Sequence, residues 1–338
     1  MLNGLSKALP RIPADGSYYY FSRLTDEQKG VYKAILSGIK NYSKEIKMPI
    51  RPTNEIAKIF NCVLLDNPKI FYVSASFKQT SDLYKQKCTV IPEYKFTPNE
   101  TRGYTNEIIK CLRALDSVKN KRDIEKELYV HDYCLKNFSY DYTFGSNSYS
   151  VLGLALNKAA VCEGIAKFVK LAFDYLGLSS LVVFGKAKNP IHDSKVEGHA
   201  WNIVRIDGKT YHLDVTFDMT IKNKIIRYDY FNLSDVEIKR DHIIIDDVPS
   251  CLIVGNDYYS VNSLFVNNIG ELDNFISKAL KQGKRHVLVK IKNEPYTDAV
   301  VNRIMGIAQR QYSQNYTGST MIETSYNSSQ MVFEIIFK

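Results

Sequence analysis

Cys162 is the side chain in this sequence that is best placed for nucleophilic chemistry. It stands at the start of a helical pattern, CEGIAKFVKLAFDYL, in which apolar residues recur on one side and Gly177 provides a natural end. Unpaired backbone N–H groups and the dipole at a helix start favour an ionised thiol. Cysteines near helix starts are more often structural than reactive, so the assignment as a nucleophile requires a base nearby.

A predicted hairpin further along the chain supplies a base and a carboxylate. The segment HAWNIVRIDGKTYHLDVTFD predicts two strands joined by a two-residue Asp-Gly turn. In that register Trp201 faces Asp214, and His199 faces Thr216. His199 and Asp214 are then diagonal neighbours on one face, about 7 to 8 Å apart between backbones. A three-residue turn would move Asp214 to the other face, so the prediction depends on the turn having two residues.

The chemistry of these side chains suggests a division of roles. Asp214 would fix the tautomer of the imidazole and stabilise its cation, while His199 would take the thiol proton and later protonate a leaving amine. The backbone N–H of Cys162 would help to stabilise an oxyanion. Trp201, the single tryptophan, either shields the ion pair from water or is an ordinary core aromatic, and the sequence leaves both readings open.

The elements that must hold these residues indicate an α+β chain in three parts. Residues 1–118 predict a mixed α/β region, which includes a helix with Thr25 as its cap. Residues 119–250 hold the candidate catalytic core. Two further predicted helices, each with a Thr or Asp cap, lead into this core from about residue 97. Residues 251–338 predict a small α/β domain in which helix, strand, helix and two strands follow one another.

The motifs around these residues resemble the transglutaminase-like superfamily of papain-fold cysteine enzymes, in its bacterial branch. The matching segments are AVCEGIAKF, GHAWNIVRIDGKTYHLDVTFD, RYDYFNLSDVEIKRDH and the preceding HDYCLKNFSYDY, which lie between about residues 125 and 245. The resemblance implies a papain-like core in which a helix with the nucleophile packs on an antiparallel sheet with the other two residues. It assigns Cys162 as nucleophile, His199 as base and Asp214 as orienting group.

The resemblance also implies acyl transfer through a thioester on peptide or protein amides, with hydrolysis favoured over transamidation. A transglutaminase cross-linking activity, or a protein-binding module that retains the fold without catalysis, are the alternatives. The second oxyanion donor of the family has no secure counterpart, and Tyr149 is the candidate for that role. Ile165 stands where an aromatic residue usually follows C-E-G, a departure that concerns substrate fit.

Composition and the missing motifs exclude several other classes. The net charge of +9 comes from 45 basic and 36 acidic residues without a long basic run, which favours a solvated surface over nucleic-acid binding. Six cysteines without a C-x-x-C pair argue against a disulfide framework and a zinc ribbon. His131 and Cys134, three residues apart, are too few ligands for zinc. His192 is predicted to be a loop residue, and Asp218 either a second group near the site or a cap at the hairpin end.

No cofactor or metal is therefore expected, and the predicted partner is a peptide or protein substrate. No signal peptide or membrane span is predicted, so a cytoplasmic location, or a secreted one if a signal was removed, stays open, as does the oligomeric state.

Overall fold

The computed structural model describes residues 18–48, 55–82, 87–188, 195–222, 225–316 and 321–338, so His192 lies outside the described residues. The helices are α1 Tyr19–Ser22, α2 Asp26–Lys40, α3 Glu55–Asp66, α4 Pro98–Arg113, α5 Asp123–Asn137, α6 Cys162–Leu176, α7 Val215–Ile221, α8 Asp235–Ile238, α9 Tyr258–Val261, α10 Leu272–Lys281 and α11 Asp298–Asn315. The strands are β1 Ile46–Lys47, β2 Val73–Asp82, β3 Lys87–Tyr94, β4 Ser139–Tyr140, β5 Ala159–Ala160, β6 Ser179–Lys188, β7 Val196–Ile206, β8 Lys209–Leu213, β9 His242–Ile244, β10 Phe265–Val266, β11 His286–Ile291, β12 Ile322–Asn327 and β13 Val332–Phe337.

Side-chain caps begin several of the N-terminal helices. Thr25 accepts a hydrogen bond from the backbone N–H of Gln28, as predicted, and Thr97 caps α4 in the same way. The predicted Asp cap of α5 is wrong, because Arg122 is the N-cap and Asp123 is the first helical residue. Three strands in the order β1-β3-β2 form a small antiparallel sheet beside these helices.

The centre of the chain has the α+β arrangement predicted from the sequence. An antiparallel sheet in the order β8-β7-β6-β9 packs against α6, the helix that begins at Cys162. Residues Ile165, Val169 and Phe173 on the apolar side of α6 are fully buried. Gly177 ends the helix with a φ of 76°, in the left-handed region that favours glycine.

The hairpin formed by β7 and β8 has the predicted register but not the predicted length. Ile206 pairs with Lys209 and Asn202 pairs with Leu213, as a two-residue turn requires. Asp207 and Gly208, with φ of 48° and 80°, form that turn. The prediction that Thr216 faces His199 from a strand is wrong, because the chain leaves the sheet after Leu213 and continues as helix α7.

The C-terminal region forms a second sheet in the order β10-β11-β13-β12, with β10 parallel to β11 and the other pairs antiparallel. Helices α10 and α11 and this sheet share an apolar cluster that includes Leu272, Val289 and Phe333. The region is joined to the central part by a buried ion pair between Lys290 Nζ and Glu237 Oε1, 2.9 Å apart.

One large apolar cluster unites the N-terminal and central regions. It includes Val31 of α2, Ile56 of α3, Phe168 of α6 and Leu213 of β8. The helix that bears Cys162 is thus supported by residues from both regions. The division into residues 1–118, 119–250 and 251–338 stays a prediction. No helix among the described residues has the length and apolar character that crossing a membrane requires.

Candidate active site

Cys162 is the first residue of α6, and Val161 is the N-cap. Its side chain is partly exposed and packs beside Ala166, Val182 and Ala200, where α6 meets β6 and β7. The five other cysteines, Cys62, Cys88, Cys111, Cys134 and Cys251, are buried. Among the six thiols, that of Cys162 therefore has the best access for a reagent or a substrate.

The imidazole of His199 lies between the thiol of Cys162 and the carboxylate of Asp214. Its Nε2 is 2.6 Å from Asp214 Oδ2, and the thiol of Cys162 lies close enough to the ring to interact with it. Burial by itself lowers the pKa of His199. The charge and hydrogen bond of Asp214, with the contact to Cys162, outweigh burial and raise the pKa of His199 to about 10. The structure thus brings together the three side chains that the sequence analysis singled out.

Asp214 reaches His199 as the N-cap of a helix rather than as a strand residue. Its Oδ1 accepts a hydrogen bond from the backbone N–H of Phe217 at 3.0 Å, which leaves Oδ2 for imidazoles. The carboxylate is fully buried. Burial raises the pKa of Asp214, but the charge and hydrogen bond of His199 and those of His242 outweigh it, so the pKa lies well below its usual value.

His242 is a member of the site that the sequence analysis did not identify. It lies at the start of β9, and its Nε2 is 3.0 Å from the same Asp214 Oδ2 that accepts from His199. Its Nδ1 is 2.6 Å from Asp241 Oδ1. The residue ends the segment RYDYFNLSDVEIKRDH, so the motif contained it, but spacing along the chain gave no reason to place it beside Asp214.

Trp201 stacks on the imidazole of His199 and is also a core residue. The two rings are 6.0 Å apart between centroids with an interplanar angle of 15°, and Trp201 is 1% exposed. Its Nε1–H donates to His212 Nδ1 at 3.0 Å, and His212 Nε2 is 2.9 Å from Asp235 Oδ1. Burial lowers the pKa of His212 to about 4, so this ring is neutral and holds the indole in place.

The side chain of Tyr149, the candidate second oxyanion donor, is 47% exposed. The carbonyl of Tyr149 accepts a hydrogen bond from Lys167 Nζ at 3.4 Å, which places this loop against the first turns of α6. Tyr140, in β4, lies near the sulfur of Cys162. Burial and then the nearby charge of Cys162 raise the pKa of Tyr140. The role of Tyr149 stays a prediction.

The remaining polar residues considered in the sequence analysis lie in a different buried cluster. His131 Nε2 is 3.0 Å from Asp218 Oδ2, and the His131 ring stacks on Tyr228 at 4.9 Å. Asp218 also accepts from the backbone N–H of Tyr230 at 3.1 Å. His131 and Cys134 are both fully buried, as packing predicts. The cap of the hairpin end predicted for Asp218 is wrong, because the residue belongs to α7.

Two groups of side chains in the described part of the chain are close enough to suggest a metal site. They are His199, Asp214 and His242, and His212, Asp235 and Cys251. In the first group the lone pairs of both Nε2 atoms are unavailable, because both nitrogens donate protons to Asp214. In the second, His212 Nδ1 accepts from Trp201, so its Nε2 carries the proton. Hydrogen bonding within the protein therefore accounts for both groups.

Residues 113–215 match the family model described as the transglutaminase-like superfamily. This segment belongs to that superfamily. The matched transglutaminase-like segment contains α6, the hairpin of β7 and β8, and the three residues Cys162, His199 and Asp214. Its antiparallel sheet packed on the helix of Cys162 is the transglutaminase-like, papain-like arrangement that the sequence predicted.

Solved structures that match part of this chain include a protein described as a TGase. It is 17% identical, with 54% of this chain and 53% of that one covered and a TM-score of 0.31. A proposed cysteine protease from Cytophaga hutchinsonii is 14% identical, with 42% and 61% covered and a TM-score of 0.26. A proposed protease from Parabacteroides distasonis is 9% identical, with 77% and 55% covered and a TM-score of 0.26. The chain thus spans little more than half the length of these proteins. None of the curated proteins matches the chain.

Proposed function

We propose that this protein is a cysteine-dependent acyl-transfer enzyme that acts on peptide or protein amides and mainly hydrolyses them. The observation that carries the proposal is the position of the His199 imidazole, which contacts the Cys162 thiol and lies 2.6 Å from Asp214 on its Nε2 side. Sulfur, imidazole and carboxylate in this order are the arrangement that activates a thiol for attack on a carbonyl.

The acylation step follows from the protonation of His199. With its pKa raised to about 10, the imidazole carries two protons at neutral pH. We assign one to the hydrogen bond with Asp214 and the other to the side facing the sulfur, so that Cys162 reacts as a thiolate. The sulfur attacks the amide carbonyl, and the backbone N–H of Cys162 stabilises the oxyanion at the start of α6. The imidazolium protonates the leaving amine, and a thioester remains.

Deacylation returns the site to its starting state. Neutral His199 accepts a proton from water as the water attacks the thioester, and the carboxylic acid product leaves as the thiolate and imidazolium form again. We favour hydrolysis because water needs no binding site of its own, whereas transamidation requires an amine held beside the thioester. The substrate class inferred here is an amide in a peptide or protein.

Alkylation of Cys162 tests, without a substrate, whether the thiolate of Cys162 and the imidazolium of His199 form an ion pair. The protein is treated with iodoacetamide between pH 4 and 9, and modification of Cys162 is quantified by mass spectrometry. We expect fast alkylation near pH 6 in the unaltered protein and a rate at least about tenfold lower in His199→Gln, because a free thiol is mostly protonated at that pH. His199→Gln is the matched control, because it retains all six cysteines. The five cysteines other than Cys162 are buried, so the difference in rate reports on Cys162. Equal rates near pH 6 in the two proteins would contradict the proposal.

Two activity measurements complete the test. Hydrolysis of fluorescently labelled denatured casein is expected to fall by about 10³-fold or more in Cys162→Ala, as for other triad nucleophiles. The same substrate with a dansyl-labelled primary amine separates the two fates of the thioester. Cleavage without incorporation of the amine supports hydrolysis, and incorporation without cleavage would show transamidation instead.

A further inference from the structure

His242 joins the candidate active site to a buried carboxylate that the C-terminal region helps to hold. Asp241 Oδ1 lies 2.6 Å from His242 Nδ1, and Asp241 Oδ2 accepts from Tyr230 Oη at 2.7 Å. Gln330, in the turn between β12 and β13, donates to the same Oδ2 at 3.4 Å. All four side chains around this contact are buried, so water does not compete for these hydrogen bonds.

The two ring nitrogens of His242 both face carboxylate oxygens. Nδ1 faces Asp241 at 2.6 Å and Nε2 faces Asp214 at 3.0 Å. A carboxylate can only accept, so both contacts are hydrogen bonds when each nitrogen carries a proton and the ring is a cation. A neutral ring would direct a lone pair at one of the two carboxylates inside a buried site, which is costly.

A cation at this position also acts on His199. The centroids of the His199 and His242 rings are 5.4 Å apart, and both rings share Asp214 Oδ2. Like charges at that distance disfavour each other, so a charged His242 weakens the hold of Asp214 on the proton of His199. A general acid must release its proton during each cycle, and a proton held too firmly slows that release.

We propose that His242 is a positioning residue of the candidate active site, which fixes the Asp214 carboxylate and, through its positive charge, limits the pH range in which His199 stays protonated. The inference rests on the proposed function of Cys162, His199 and Asp214. The titratable groups that face or influence His242 from its own and the neighbouring elements are Asp241, Asp214, His199, His212 and Tyr230.

Iodoacetate measures this effect directly at the sulfur. Its carboxylate is attracted by an imidazolium, so its reaction with Cys162 is fastest while thiolate and imidazolium coexist and slows when His199 loses its proton. The pH at which the rate falls on the alkaline side therefore reports the protonation of His199. In His242→Gln we expect that midpoint to move upward by about half a pH unit or more, because a like charge is removed.

Asp241→Asn provides a second variant that leaves no unpaired buried charge. The amide still accepts from Tyr230 and Gln330 and donates to His242 Nδ1, so the ring keeps its hydrogen bond to Asp214 but loses its charge. The substitution removes the negative charge of Asp241 and, with it, the positive charge of His242. The charge of His242 is the nearer of the two to His199, so its loss has the larger effect. We expect an upward shift that is smaller than that of His242→Gln. His286→Gln is the matched control, because His286 pairs with Glu334 in the C-terminal sheet, and it should not shift the midpoint.

The outcomes separate this inference from the proposed function. The inference is supported if Cys162 shows enhanced alkylation and the alkaline midpoint is highest in His242→Gln, intermediate in Asp241→Asn and lowest in the unaltered protein. Enhanced alkylation with an unchanged or lowered midpoint in both folded variants overturns the inference and leaves the proposed function standing. If Cys162 shows no enhanced reactivity in the unaltered protein, the proposed function fails and the inference falls with it.

Discussion

His199 Nε2 lies 2.6 Å from Asp214 Oδ2 in a buried contact at the point where the central hairpin ends. The other oxygen of Asp214 caps helix α7, so one carboxylate both starts a helix and orients an imidazole. The two tasks can be separated by substitution, because asparagine caps helices as well as aspartate does but carries no charge.

Asp214→Asn is expected to retain the fold and lose activity. The cap to Phe217 persists, but His199 and His242 lose the buried carboxylate that both face, so the free energy of unfolding at pH 6 should fall by roughly 3 to 5 kcal/mol. Casein hydrolysis should fall by about 10⁴-fold, because a neutral amide does not stabilise the imidazolium. Asp214→Ala should also lose about 1 kcal/mol of stability with the cap. Asp257→Asn, at the N-cap of α9, is the control that changes a capping aspartate outside the candidate site. An active Asp214→Asn enzyme would remove Asp214 from the proposed mechanism.

The stability of the protein should depend on His199 through pH. The folded pKa of about 10 exceeds the ordinary value of 6.5, so the folded state takes up a proton between these values. The stabilisation is therefore fully present below pH 6.5 and is lost as the pH rises towards 10. Urea unfolding should show His199→Gln less stable than the unaltered protein at pH 6 by roughly 2 to 4 kcal/mol, with the gap closing by pH 10. A gap that does not narrow with pH would contradict this prediction.

Glu127 gives the stability of the protein a second dependence on pH, at a position away from the candidate site. It is fully buried, and its Oε2 accepts from Asn232 Nδ2 at 3.0 Å, while burial raises its pKa from 4.5 to about 8. The folded state holds the neutral acid, so stability falls as the pH rises from 4.5 to 8. Glu127→Gln, which is neutral throughout, should equal the unaltered protein at pH 4 and exceed it at pH 8 by on the order of 2 kcal/mol. Parallel urea-unfolding profiles for the two proteins would exclude this assignment.

Substitution of Trp201 distinguishes its ring from its N–H group. Trp201→Phe keeps an aromatic ring over His199 but leaves His212 Nδ1 without a donor, so the free energy of unfolding should fall by about 1 to 3 kcal/mol while the rate is largely retained. Trp201→Ala opens the site to water and should also slow casein hydrolysis. Equal rates in the two variants, both measured well below their melting temperatures, would leave Trp201 with a packing role alone.

The assignment of Tyr149 as second oxyanion donor predicts a loss in kcat with little change in KM. Removal of one such donor costs about 10² to 10³ in kcat in other enzymes, so Tyr149→Phe should show a loss of that order. Tyr140→Phe is the comparison, because Tyr140 lies near Cys162. A larger kcat loss in Tyr140→Phe than in Tyr149→Phe would transfer the role to Tyr140.

Local patterns predicted much of the fold around the site. The apolar periodicity and Gly177 fixed the extent of α6, and the Asp-Gly turn fixed the register of β7 and β8. The hairpin pattern favours a strand through the segment V-T-F-D, which follows Asp214. Asp214 overrides that preference, because its side chain caps a helix and its backbone N–H bonds to the carbonyl of Tyr230.

The sequence by itself determined a cysteine at a helix start, a histidine and an aspartate brought close by a two-residue turn, and the family motifs that contain them. These features depend on short-range rules of capping, periodicity and turn geometry. Only the tertiary structure decided that His242 shares Asp214 with His199, that His212 holds Trp201, and that Gln330 reaches Asp241. These contacts join residues from separate elements. Because the groups are buried, the loss of any one of these hydrogen bonds would cost free energy of folding. Spacing along the chain does not encode which buried polar groups will meet.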